Sequence, residues 1–401
     1  MKLTLSVREL PAPDASATAH SERLQAVIRE EIIFHGGQIS FARYMELALY
    51  APGLGYYSAG ARKFGVQGDF VTAPEISPLF ARCIARQCQQ VLRELGSADI
   101  LEIGAGSGIM ACDILRELDV LQSLPAHYFI LELSAELRER QYNTIKHEIP
   151  DLSQRVIWLD ALPPAGWRGV VLANELLDAM PVHRFYVGEQ GAGELYVGWE
   201  DSKFVWRRGA VSSPWLKQRI EAIERELGDS YDAGFPSGYE SEINLAADCW
   251  LGSVASLLEA GLLLVIDYGF PRREFYHPER STGTLMCHSR HRAHADPLVL
   301  TGLQDITTHV DFTAVAEAGV EGGLTVAGYT TQASFLLGCG LGDMLKALDV
   351  DNLAHRLKFA QQIKTLTMPS EMGELFKVMA LTRNIDMPLL GFGLQDMRGR
   401  L

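Results

Sequence analysis

A doubly wound α/β fold with a mostly parallel sheet is predicted by three observations on this chain of 401 residues. Near-continuous apolar runs at 99–103, 128–133, 156–159, 170–173 and 262–267 have the length and composition of strands covered on both faces. Helical spacing at 110–118 and 135–149 separates the first three runs, the βαβ alternation of a parallel sheet. A glycine-rich turn follows the first run, where such folds pass from strand to helix.

The elements before the first strand read as helices around a glycine-rich loop. Apolar residues Leu24, Val27, Ile28 and Ile32 give helical periodicity over 21–34, stopped by Gly36 and Gly37. A second helix is expected over 40–50, ended by Ala51-Pro52-Gly53, and a third over 77–95. Between them, residues 53–78 lack a clear period but carry Tyr, Phe and Val, which marks a functional loop rather than disorder. Its portion 60–68, with Arg62 and Lys63 between glycines, reads as a flap or a plain surface loop.

Between the fourth and fifth strands, runs at 184–187, 194–199 and 203–207 alternate like a β meander. Helices are expected after it over 215–227 and 241–260. The aromatics Phe185, Tyr186, Tyr196, Trp199, Phe204 and Trp206 read as sheet core, with a docking face for a protein partner or a second copy as the alternative. A helix over 312–318 capped by Asp311, a strand over 324–329, mostly helix over 334–366 and a strand over 375–381 complete the chain. The expected division is a helical and glycine-rich lid at 1–97, core at 98–183 and 261–401, and an inserted α+β subdomain at 184–260.

Composition excludes some classes of function. With 36 Lys+Arg against 50 Asp+Glu the formal charge is −14, which argues against coating nucleic acid or anionic membrane by bulk electrostatics and leaves a cationic substrate open. The first residues show no signal-peptide pattern, and no apolar run is long enough to span a bilayer. Six cysteines form no C-x-x-C pair or zinc spacing, so reduced thiols and a cytoplasmic setting are expected.

The sharpest chemical signal is Asp99-Ile100-Leu101-Glu102-Ile103-Gly104-Ala105-Gly106-Ser107-Gly108. Glycines let the backbone turn steeply and let a ligand approach without a Cβ in the way. A dinucleotide fingerprint would place its third glycine at 109, which is Ile109. The pattern E-x-G-x-G-x-G is instead typical of class I S-adenosylmethionine methyltransferases; an NAD oxidoreductase stays as the alternative. Glu132 ends the second strand 24 residues after Gly108, where an acid would accept hydrogen bonds from both ribose hydroxyls. Asp160, with Ala161 beside it, ends the third strand where adenine contacts are expected. Candidate cofactor contacts are therefore Glu102, Gly104, Ala105, Gly106, Gly108, Glu132, Leu133, Asp160, Ala161 and Asn174.

After the fourth strand, Asn174, Glu175 and Asp178 are the candidate catalytic residues. Two carboxylates there suit a guanidinium, which is cationic at any accessible pH and presents a planar fork of donors. Gripping two nitrogens aims the third at the sulfonium methyl, and displacement then needs mainly positioning and exclusion of water. The string is similar to the S-E-L-L-G segment of type II arginine methyltransferases. The bland alternative makes Asp178 a turn cap, with only Asn174 or Glu175 near cofactor.

Five segments together resemble the MidA-type methyltransferases: 68–77 (GDFVTAPEIS), 101–108 (LEIGAGSG), 174–185 (NELLDAMPVHRF), 264–269 (LVIDYG) and 304–312 (QDITTHVDF). The resemblance runs from about residue 21 to about 383 in unchanged order. It implies a seven-stranded class I methyltransferase (Rossmann-like) sheet with an antiparallel last strand, and S-adenosyl-L-methionine as cofactor. For the mitochondrial branch it also implies symmetric dimethylation of a protein arginine in a respiratory complex I subunit. It places Thr72, Pro74 and Glu75 in a lid lining the cofactor pocket, and Gly104, Gly106 and Glu132 around methionine and ribose. Asn174 and Glu175 fall nearest the transferred methyl. Rival readings are a small-molecule methyltransferase of the same fold and an assembly factor that holds cofactor without turnover. Residues 286–296 pack His288, His291 and His294 with Arg290 and Arg292 into a stretch read as a partly solvated basic loop, or as a loop near the site mouth that contacts substrate or orders the neighbouring acids, with no metal expected. Tyr268, after Asp267, is a candidate wall for the acceptor or a core residue.

Overall fold

The computed structural model describes residues 10–59, 72–228, 235–346 and 353–401. Residues 60–71, which hold the expected flap and the start of the GDFVTAPEIS segment, lie outside the described residues. The chain forms two units, one of Val71–Leu177, Trp250–Pro271 and Val310–Leu401, the other of Met1–Phe70, Asp178–Cys249 and Arg272–His309.

The first unit is the doubly wound core. Its strands are β1 (Asp99–Ile103), β2 (Tyr128–Leu131), β3 (Val156–Leu159), β4 (Trp167–Asn174), β5 (Leu258–Phe270), β6 (Thr325–Thr331) and β7 (Phe376–Arg383). They lie in the order β6-β7-β5-β4-β1-β2-β3. β1 to β5 run parallel, and β7 is antiparallel to both β5 and β6. An eighth, two-residue strand, Val310–Asp311, pairs in parallel with the end of β5. The apolar runs behave as predicted because both sheet faces are covered: Val170, Leu172, Leu262 and Leu264 on one face and Val171, Leu263 and Val265 on the other are at most 1% exposed. Each such side chain contributes about 1.5–3 kcal/mol by leaving water. The covering helices α1 (Pro78–Leu95), α2 (Ile109–Val120) and α3 (Ala135–Glu148) supply the other side of the core, for example Phe80, Ile84, Ile114 and Ile145.

This winding fixes where a ligand can sit. From β1 the chain proceeds outward to β2 and β3, then returns to the other side of β1 as β4. Open α/β sheets bind ligands at that reversal, outside the carboxyl ends of the strands. Ile103 of β1 is in register with Ala173 of β4, so the loops beginning at Gly104 and Asn174 emerge side by side.

The second unit has a five-stranded antiparallel sheet. Gln38–Ser40, Gly191–Glu200, His183–Gly188 and Glu240–Ile243 lie in that order, and Lys203–Gly209 also pairs with Gly191–Glu200. Helix Ala15–Phe34 buries Leu24, Ile28 and Ile32, and helix Phe41–Tyr50 is capped by the Ser40 hydroxyl. Of the meander aromatics, Phe185 and Phe204 are buried in the core, with Phe204 packed edge-on to Tyr44 and the half-buried Trp206 against Phe41, whereas Tyr186 and Tyr196 stay half-exposed.

The structure corrects three expectations. The single helix expected over 241–260 is a strand, Glu240–Ile243, then a helix, Leu245–Leu257, after which β5 begins at Leu258. Ser241 and Glu242 pair with Phe185 and Arg184, so tertiary hydrogen bonding overrides the helical spacing. The stretch 286–296 contains a hairpin, with Met286–Ser289 antiparallel to Arg292–His294. Arg290 and His291 turn it at φ 49° and 60°, as a two-residue turn of the primed kind requires. The expected boundaries move too: α1 packs in the core rather than in a lid, and residues 272–309 join the second unit.

Candidate active site

Gly104, Gly106 and Gly108 carry the chain from β1 into α2 at φ 73°, 53° and 82°, values that favour glycine. Two of them also answer to close neighbours. A Cβ on Gly108 would stand 3.2 Å from the Gln141 backbone, and one on Gly104 would stand 3.1 Å from the Leu176 side chain. The glycine loop thus touches both α3 and the loop after β4. Ala105 is buried, and Gly108 donates to its carbonyl at 2.8 Å.

Glu132 follows β2 half-buried, with one carboxylate oxygen accepting from the Ser134 amide at 2.9 Å and the other from the Gln141 side chain at 3.0 Å. Leu133 beside it is 85% exposed, an apolar surface at the sheet edge. Asp160 lies after β3 with its side chain 88% exposed and ion-paired to Arg138 at 2.5 Å; Ala161 is exposed as well. Glu102 departs from the expected contact. It is 2% exposed, its carboxyl accepts from the Tyr128 hydroxyl at 2.7 Å, and burial pushes its pKa up to about 7. It belongs to the core beneath the loop, because β1 is covered on both faces and Leu101, Glu102 and Ile103 are all buried.

The loop after β4 is built on strain and compensation. Glu175 has φ 48°, a conformation that costs a residue with a Cβ about 1–3 kcal/mol. Its amide donates to the Ile266 carbonyl at 2.9 Å, and the Leu177 amide donates to the Asp267 carboxylate at 3.0 Å. Asp267 is fully buried, and its other oxygen accepts from the Tyr268 amide at 2.9 Å. Asp267 therefore holds the turn, a role its place in LVIDYG did not reveal; Tyr268 packs edge-on against Phe376.

Thr72–Ile76 joins the two loops. Thr72 and Pro74 are buried, and Ala73–Ile76 makes one helical turn. The Ala73 amide donates to Glu175 Oε1 at 3.3 Å, and the Asn174 side-chain amide donates to the same oxygen at 3.3 Å. Glu75 accepts a very short hydrogen bond from the Ser107 hydroxyl in the glycine loop. Asn174 Oδ1 is buried without a hydrogen-bond partner among the described residues. Asp178 opens the second unit, where it is 5% exposed and its carbonyl accepts from the Thr308 amide at 3.0 Å.

Sequence reasoning missed Gln141. It sits on the buried stripe of α3 between Leu137 and Ile145, four residues from each. A glutamine in a row of aliphatic residues was the available signal.

The sequence profile of a family described as "Putative S-adenosyl-L-methionine-dependent methyltransferase" matches residues 83–330. The chain belongs to this family, that of the MidA-type methyltransferases. A COG1565 superfamily member from Burkholderia thailandensis, crystallised with S-adenosyl-homocysteine, is similar at 45% identity and a TM-score of 0.92, covering 98% of this chain and 100% of that one. Among curated relatives, the Drosophila melanogaster "Protein arginine methyltransferase NDUFAF7 homolog, mitochondrial" is 28% identical over 95% of this chain and 91% of its own length. The human protein arginine methyltransferase NDUFAF7 is 27% identical over 86% of this chain and 80% of its own. The fold is that of class I methyltransferases, and the cofactor is S-adenosyl-L-methionine. The residues present suit that group: a glycine turn, a held carboxylate, an exposed leucine and a buried unpartnered carbonyl offer acceptors and apolar surface to a cationic nucleoside.

Among the described residues, no group of three or more His, Cys, Asp or Glu is arranged for a metal, and no helix is long and apolar enough to cross a membrane. His294 is fully buried, and burial lowers its pKa.

Proposed function

We propose that the chain methylates arginine in a protein substrate, carrying it to the symmetric dimethyl product. The observation that carries the reading is Glu175, whose carboxylate a strained backbone presents at the carboxyl edge of the sheet beside the glycine loop. Strain of this kind persists only where surrounding bonds over-determine it, and it concentrates at functional positions. The names of the curated relatives, at 25% to 28% identity, agree with the reading.

In this proposal Gly104, Ala105, Gly106 and Gly108 cradle the methionine portion, Glu132 takes the ribose hydroxyls, and Leu133, Asp160 and Ala161 flank the adenine. When bound, S-adenosylmethionine supplies an electrophilic methyl group on a sulfonium. Asn174 Oδ1 accepts from its methionine portion. Glu175, fixed by Ala73 and Asn174, binds the guanidinium as an ion pair and orients one nitrogen toward that methyl. Each transfer forms a carbon–nitrogen bond and breaks the carbon–sulfur bond; the bonding pair stays on sulfur, giving S-adenosylhomocysteine as a neutral thioether, and one N–H proton passes to water. Asp178 needs no part in this assignment. A reducing, cytoplasmic setting belongs to the same proposal, supported by six thiols of which none is in a disulfide and five are buried.

Labelled-methyl transfer into a cell lysate, followed by mass spectrometry of the labelled species, tests the reading. Label recovered as dimethylarginine in a protein is the expected result. Label recovered only in small molecules would overturn it.

A further inference from the structure

The Gln141 side chain is fully buried where three elements of the cofactor edge meet. Its Nε2 donates to the Gly106 carbonyl at 3.2 Å and to Glu132 Oε2 at 3.0 Å, while its Oε1 accepts from the Trp158 indole at 3.0 Å. The partners leave one orientation for the amide. A carbonyl and a carboxylate only accept, so the NH2 must face them; an indole N–H only donates, so the oxygen must face it. Both donor protons of the glutamine are thus committed, one to the glycine loop after β1 and one to the acid after β2.

We infer that Gln141 is the positioning residue for ribose recognition, aiming the Glu132 carboxylate and fixing its distance from the glycine loop. The inference rests on the assignment of Glu132 to the ribose hydroxyls. A carboxylate selects a vicinal diol only if both oxygens stand in the plane and at the spacing of the two hydroxyls. The Ser134 amide holds one oxygen and Gln141 the other. Trp158, from β3, keeps the glutamine from rotating out of line. Glutamine suits the position because it donates to the acid without neutralising it, and because it joins α3 to the loop without placing a second charge in the core.

The measurement is calorimetric titration of the purified protein with S-adenosylhomocysteine and with its 2′,3′-dideoxyribose analogue. Gln141→Met keeps the volume and removes the hydrogen bonds. It is expected to weaken S-adenosylhomocysteine about tenfold while leaving the analogue within about twofold, so that the preference for hydroxyls collapses. Trp158→Phe, which leaves Gln141 in place, is expected to show the same pattern at about threefold and serves if the first variant does not fold. Equal weakening of both ligands, or an unchanged preference in both variants, overturns the inference. Glu132→Gln separates the two layers. If it erases the preference while Gln141→Met and Trp158→Phe keep it, the positioning role alone fails. If Glu132→Gln keeps the preference, the ribose assignment fails and this inference with it.

Discussion

The loop after β1 turns on three glycines at positive φ, whereas the loop after β4 makes its turn on Glu175, a residue with a full side chain. The two leave neighbouring strands, at Ile103 and Ala173, and serve one sheet edge. Where the backbone itself must lie close to Leu176 and to α3, glycine is the only residue without a steric conflict. Where a carboxylate must be delivered, the fold accepts about 1–3 kcal/mol of local strain and offsets it with bonds from Ile266 and Asp267. On the glycine side the backbone must make room for the cofactor. An acceptor must be met by a specific group.

The largest effect should come from spoiling the glycine side. Gly106→Val puts a β-branched side chain at φ 53°, which such residues almost never adopt. At a ligand concentration of 100 Kd, S-adenosylhomocysteine should stabilise the parent protein by about 2.7 kcal/mol. The variant should show no thermal shift and no transfer. A shift equal to that of the parent would remove the glycine loop from the cofactor site.

The acceptor side should break differently. Glu175→Gln still offers an oxygen to the Ala73 amide, so the loop and its link to Thr72–Ile76 should survive. What goes is the negative charge. Transfer in single-turnover assays should fall by about 10²–10³-fold, while the Kd for S-adenosylhomocysteine stays within about twofold. Retained transfer would end the carboxylate mechanism. Cofactor affinity lost in parallel would mean that the two loops are not separable in function.

Asp267 connects strain to stability. Asp267→Ala removes the carboxylate that accepts from the Leu177 and Tyr268 amides. Chemical denaturation should show a loss of about 3 kcal/mol, and Asp267→Asn, which keeps one acceptor oxygen, about half of that. A loss under about 0.5 kcal/mol, the range of ordinary surface substitutions, would show that Glu175 keeps its conformation without this support.

The same contrast explains what could be read in the sequence. The strands were legible because parallel strands buried on both faces leave continuous apolar runs, and β1 and β3 fall on their expected bounds. The glycine turn was legible because its conformation demands a residue type. Asp267 was not, since it works by receiving hydrogen bonds across the fold and nothing local marks an aspartate for that; Gln141 left only its place in an aliphatic row of α3, which marks burial but not its partners. Glu102 misled for a related reason: in E-x-G-x-G-x-G it reads as an edge acid, but β1 is covered on both faces and encloses its side chain in the core. The helix expected over 241–260 failed where Ser241 and Glu242 found ladder partners that the local pattern could not foresee.

Glu102 gives the smallest prediction and bears on the glycine side of the comparison, whose base it forms. Burial raises its pKa to about 7, with the Tyr128 hydroxyl opposing and the charge of Glu132 adding. An unfolded glutamate titrates near 4.3, so between roughly pH 4.3 and 7 the folded chain holds a proton that the unfolded chain has released. This group's contribution to stability therefore declines as pH rises through that window and is constant above it. Glu102→Gln removes the titration while keeping a group that can bond to Tyr128. Urea unfolding at pH 5, 6, 7 and 8 should show the variant gaining on the parent as pH rises, by about 1–3 kcal/mol at pH 8. Parallel stability curves would mean that Glu102 is charged and solvated, and that the floor of the glycine loop is more open than its 2% exposure indicates.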